Sequence, residues 1–183
     1  MGVVPAGTSG SQPSRFGERT EQLLNELAEW TPGELRFRPS EDSWSALAVI
    51  DHLILAERAV LAAMRSHLGE RRDVTWKDRC RGAFILAIMV SPIRVKVPGS
   101  ARQILPLETS PDLPSLRRTW ADDRRALAGF LQGLSAAERK QGVFRHPVGG
   151  WTTPSGALLF LHLHFRHHLH QVRRLRRLRG QRR

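Results

Sequence analysis

The segment His162-Leu-His-Phe-Arg-His-His-Leu-His-Gln171 holds five of the chain's eight histidines, and imidazoles at these spacings can bind a metal ion. At 100° per residue, His164 and His168 fall about 40° apart and about 6 Å along one helix face, so both rings can converge on one ion. Gln171 shares that face with Ala157, Leu161 and Leu175, which makes it the stripe such a helix turns toward a core. His162 and His170 point away from it, and His167 sits on its border.

A third ligand has to come from another part of the chain, where only His52, His67 and the loop residue His146 are available. His52 is the better placed. Its neighbours at helical spacing, Ala48, Ala56, Ala59 and Ala63, leave room beside an imidazole, although the same alanines would also let two helices approach closely. A lone histidine on an apolar face is usually a hydrogen-bonded core residue. An i, i+4 pair facing a helical core favours a metal.

Helices are the elements that must position these residues. Leu23, Leu24, Leu27 and Trp30 recur at helical spacing from about Phe16 to Trp30, and Thr31-Pro-Gly closes that first helix. A second, alanine-rich helix starts near Ser43 to Ser45, either of which can cap it, and runs to about Leu68 before Gly69. Residues 70 to 114 read as a long crossover: Trp76 to Val90 can form a short helix, but Pro92, Pro98, Pro106, Pro111 and Pro114 interrupt the rest. A third helix opens at Pro114 or Ser115 and carries Leu116, Trp120, Leu127, Phe130, Leu131 and Leu134 at the 3.6-residue period. Gly142 to Gly150 reads as a loop, and a fourth helix runs from Thr153 or Pro154 to about Leu178. No convincing strand is predicted. The expected fold is all-α, a four-helix bundle over residues 14–179 with a long crossover between the second and third helices. Residues 1–13 are expected to be a disordered leader and 180–183 the end of a basic tail.

Taken together, Trp44-Ser45 with His52-Leu53, His146-Pro147-x-Gly149, and His164-x-x-His167-His168-x-x-Gln171-Val172 closely resemble the DinB-like superfamily. The resemblance spans about Glu18 to Leu178 and includes Ser91-Pro-Ile-Arg-Val-Lys-Val-Pro98, where relatives have a similar basic stretch ending in proline. It implies a four-helix bundle with a crossover after the second helix, and a divalent metal held by His52, His164 and His168. The family includes thiol-dependent transferases and isomerases, proteins classed as metal-dependent hydrolases, and many members without a known substrate. Relatives often carry Glu near the start of the second helix where this chain has Ala48, so a capping box is lost there.

Three neutral imidazoles leave the charge of an ion uncompensated and a coordination position open, the pattern of a catalytic site. A thiol or water on that ion would be acidified toward neutral pH. The ligand type suits zinc, nickel or iron. Gln171 can hold a ligand or substrate by hydrogen bond or else cap a backbone group. Trp44 and Trp151 can wall the pocket, with Trp44 the candidate for cofactor contact, or simply fill core. Asp123 falls on the apolar stripe of the third helix, where it would orient a histidine or, more in keeping with its position, pair with an arginine near the bundle end. No histidine lies at a local spacing that would activate Cys80.

The chain's net charge is +12, but from Arg139 onward there are 11 basic residues and no acid, leaving +1 for everything before. No carboxylate of the fourth helix can therefore serve as a ligand. Seven arginines from Arg173 to Arg183 would attract phosphate, so a module binding nucleic acid or another acidic partner is a competing reading. Cations are favoured at a helix C-terminus, however, and the tail lacks aromatics to stack on bases, which makes nucleic acid the weaker partner. A bundle without catalytic activity is a third reading. One cysteine excludes an intramolecular disulfide, a multi-cysteine zinc knuckle and an iron–sulfur cluster. The longest apolar run, Ala83 to Val90, is too short to span a bilayer. With no basic and then apolar N-terminal signal, a cytoplasmic location and no membrane partner are expected. The leading expectation is a metal-dependent thiol transferase or hydrolase acting on a small molecule with a low-molecular-weight thiol or water. Exposed bundle faces often pair, so a homodimer is also expected.

Overall fold

A computed structural model describes residues 15–41, 43–70, 72–90, 111–146 and 148–180. The expected leader 1–13, residues 91–110 of the crossover and tail residues 181–183 lie outside the described residues. The elements are α1 (Arg15–Ala28), α2 (Pro32–Arg36), α3 (Ala46–His67), α4 (Trp76–Val90), α5 (Leu113–Gly133), a 3-10 turn (Glu138–Lys140), β1 (Phe144–His146), β2 (Gly150–Thr152) and α6 (Pro154–Gly180). The fold is all-α with one small hairpin.

The four long expected helices appear as α1, α3, α5 and α6, and all four contribute to one core. Leu24, Ile50, Ile54, Trp120, Phe165 and Val172 are buried together there. A second cluster, with Met64, Val143 and Leu161, continues it toward the hairpin. Ser45 caps α3 by accepting the Ala48 N–H at 3.2 Å, while Ala48 has no carboxylate to return the bond. Gly69, at φ +104°, follows the end of α3.

Two ion pairs tie α3 to α5. Buried Glu57 accepts two bonds from Arg124, at 2.9 and 3.2 Å, and the guanidinium lies 4.7 Å over the Trp120 ring. Asp123 pairs with Arg58 at 2.6 Å, so it takes the arginine partner expected of it.

Two local expectations need correction. Thr31-Pro-Gly does more than close α1: Thr31 and Glu34 form a reciprocal capping box that opens the short helix α2, with Pro32 in its first turn. Residues 142–150 are not wholly a loop either, because β1 and β2 pair antiparallel with Phe144 opposite Thr152 and His146 opposite Gly150. Contacts distant in sequence hold this hairpin. Asp78 of α4 accepts the Trp151 N–H at 3.1 Å, and the Gly142 N–H donates to the Arg72 carbonyl at 2.7 Å. Gly150 has φ +75°, and a Cβ there would clash with the Asp78 carboxylate, so this position excludes a side chain.

Candidate metal centre

His52 lies in the second turn of α3, and its fixed start at Ser45 sets the direction of the ring. His164 and His168 occupy consecutive turns of α6, anchored by Leu161, Phe165 and Val172 in the core. The interlocked α3 and α6 bring the three rings together. His52 and His168 are buried and His164 is half-buried.

The Nε2 atoms of His52 and His168 each lie 3.1 Å from Nε2 of His164, and the candidate ligand atoms all fall within 4.8 Å of one another. An imidazole Nε2 carries either one hydrogen or one in-plane lone pair, so His164 cannot satisfy both neighbours through two ordinary hydrogen bonds. Three convergent lone pairs fit a cation instead. Nitrogens bound at about 2.0–2.1 Å in tetrahedral directions stand roughly 3.3–3.4 Å apart, close to the 3.1 Å of the two pairs made with His164.

Electrostatics keep the His164 and His168 rings neutral. Burial pushes the His164 pKa well below the ordinary histidine range, and the neighbouring histidines His168, His52, His167 and His146 push it further in the same direction. Burial, then His52, lowers the His168 pKa to about 3, with the Gln171 hydrogen bond opposing the shift. Neutral imidazole is the form that binds metal.

Gln171 lies beside the site as expected, and its contact there is with a histidine. Its Oε1 accepts the His168 Nδ1–H at 3.0 Å, which leaves Nε2 with the lone pair. Trp44 stacks on His168 at 5.8 Å between ring centroids and tilts against His52 at 4.7 Å, so it walls the site. Trp151 does not. It packs 4.8 Å from His67 and 4.4 Å from the Arg72 guanidinium, away from the three histidines. His67 itself pairs with Glu70 at 2.7 Å, and Cys80 is exposed on α4.

Two neighbours were not singled out by sequence for this role. Phe160 stacks on His164 at 5.7 Å, and it lies four residues before it, so the helical period could have found it. His146 packs 5.0 Å from Phe160, and its Nδ1 accepts the N–H groups of Val148 and Gly149 at 3.2 and 2.9 Å. That turn depends on the hairpin. Burial lowers the His146 pKa as well.

A helical protein with a largely buried cluster of three histidines is the class this arrangement defines. A model of the DinB superfamily matches residues 15–172, and the chain belongs to that superfamily. The match includes His52, His164, His168 and Gln171 and stops before the arginine run that begins at Arg173. No curated protein and no solved structure was found to match the chain.

Proposed function

We propose that the protein is a metal-dependent enzyme in which His52, His164 and His168 hold one divalent ion, zinc, nickel or iron, for transfer to or hydrolysis of a small molecule. The observation that carries this reading is the approach of two histidine Nε2 atoms to 3.1 Å from a third, which hydrogen bonding alone does not explain. Such an ion supplies a Lewis acid that makes a low-molecular-weight thiol or a water nucleophilic near neutral pH.

The chain's own residues set the rest. Gln171 fixes the His168 tautomer, and we propose that its amide also meets a substrate. Trp44 and Phe160 cover the outer faces of His168 and His164, limiting water around the rings, and Trp44 is the surface a bound thiol would touch. Among the described residues the cluster includes no carboxylate, so a site of this kind favours a nucleophile that becomes an anion.

Purified protein should contain close to one equivalent of divalent metal. The variant H52A/H164A/H168A should contain none, and metal retained in it would overturn the assignment. A screen of thiols against electrophilic small molecules then tests the reaction, with thiol consumption expected from the wild type and not from the triple variant.

A further inference from the structure

Among the described residues, the exposed large apolar side chains are Trp76 (70%), Phe84 (63%), Val148 (51%) and Leu159 (46%). Trp76 and Phe84 lie on α4, Val148 lies in the turn of the hairpin that α4 packs against, and Leu159 lies on α6, which α4 also contacts. Their concentration on three packed elements sets them apart from the scattered apolar residues of an ordinary surface.

The stripe on α4 is continuous. Trp76, Cys80, Ala83 and Ala87 are all exposed and fall within about 60° of one another at 100° per residue, with Phe84 at the stripe's edge. Exposed cations border it on both sides, Arg79 on one and Lys77 and Arg81 on the other. The Lys77 ammonium lies 5.8 Å over the Trp76 ring. The helix's one acid, Asp78, is buried and turned inward, where it holds Thr75 and Trp151. Of the acids just before the helix, Glu70 is engaged by His67 and Arg72, and Asp73 is exposed beyond the stripe.

We propose that α4 docks on an anionic lipid surface, with Trp76 and Phe84 entering the headgroup layer and Lys77, Arg79 and Arg81 meeting the lipid phosphates. An apolar stripe containing aromatics and bordered by cations is the pattern of a helix that lies in a lipid interface. Charge argues against a second copy of the chain as the occupant. A two-fold contact through this stripe would bring the same three cations toward their own counterparts. The docking lies along the membrane, since no helix among the described residues is long and apolar enough to cross one. It would bring the hairpin that carries His146 close to the lipid.

The test uses the full chain with vesicles of phosphatidylcholine plus phosphatidylglycerol, and with vesicles of phosphatidylcholine alone. The wild type should cosediment with the anionic vesicles and only weakly with the neutral ones, and its tryptophan emission should shift to the blue. W76A and F84S should each weaken binding about tenfold. K77Q, R79Q and R81Q should each weaken it about fivefold, by an amount that shrinks in high salt. These side chains are exposed, so circular dichroism and thermal unfolding should stay as in the wild type. Wild-type protein that ignores anionic vesicles, binds neutral ones equally, or binds unchanged in W76A/F84S would overturn the proposal. So would a dimer, seen by analytical ultracentrifugation, that W76A/F84S disperses while no vesicle binding is detected, since the stripe would then belong to a second copy.

Discussion

The Gln171 side-chain oxygen sits 3.0 Å from Nδ1 of His168, three residues before it on α6, while the opposite ring nitrogen of His168 faces His164. A neutral amide thus does the orienting that a carboxylate often does beside a metal-binding histidine. Gln171→Leu removes the acceptor without adding charge and should lower metal affinity about 10- to 100-fold, measured by competition with a chelator. Gln171→Glu keeps an acceptor and should recover most of that loss. Equal affinity in all three proteins would show that the bond does not hold the ring for a ligand.

The same neutral cluster predicts how the metal-free protein responds to acid. The folded-state pKa of His168 is lowered to about 3, mainly by burial, whereas the unfolded chain takes up a proton near 6.5. The unfolded state therefore binds more protons below about pH 6.5, and the folded state loses stability as the pH falls toward 3. Each such histidine contributes a slope of roughly 1.4 kcal/mol per pH unit once well below 6.5. His164 is shifted in the same direction. Urea unfolding of the metal-free protein between pH 7 and about pH 5, above most carboxylate titrations, should show this slope, and H164Q/H168Q should flatten it. Identical slopes in the two proteins would contradict the depressed pKa values.

Away from the site, the two α3–α5 ion pairs should differ sharply in worth. Glu57 is 5% exposed and held in a two-bond fork by Arg124. Arg58 of the other pair has half its side chain in solvent. Glu57→Ala strands a largely covered guanidinium and should cost about 3–5 kcal/mol. Arg58→Ala should cost about 1 kcal/mol or less. Chemical denaturation of both variants checks the ratio, and comparable losses would mean that the fork is no better shielded than the surface pair.

Periodicity made the helices legible. Leu23, Leu24 and Leu27, Trp120 and Leu127, and Leu161 with Leu175 are buried as their spacing requires. The convergence of His164 and His168 was legible for the same reason, since i, i+4 spacing is a property of one helix. His52 was readable only as a preference, because its approach to His164 depends on how α3 and α6 pack over a separation of 112 residues. The hairpin was not readable. Its strands have three residues each, and what holds them includes Asp78, 73 residues before Trp151. Trp44 and Trp151 show the same limit: both looked able to wall a pocket, yet packing sends one to His168 and the other to His67. The capping box at Thr31 was legible in Thr31-Pro-Gly-Glu34, where the proline and glycine suggested a stop more strongly than a start.

The arginine run has two separable parts, because α6 continues as helix into it as far as Gly180. Leu175 is 4% exposed in the core, and Arg176 donates to Glu26 of α1 at 2.7 Å. Arg173, Arg174 and Arg177 are exposed. Deleting residues 173–183 should therefore cost about 2–5 kcal/mol through the loss of Leu175 alone, on the scale of large-to-small core changes. R173Q/R174Q/R177Q should stay within about 0.5 kcal/mol of the wild type, as surface substitutions generally do. Both proteins should still contain one equivalent of metal, since His52, His164, His168 and Gln171 all precede the deletion. Thermal unfolding and metal analysis of the two together decide the point. If the charge variant also lost its metal, the arginines would belong to the site, and the histidine cluster would not be sufficient to hold the ion.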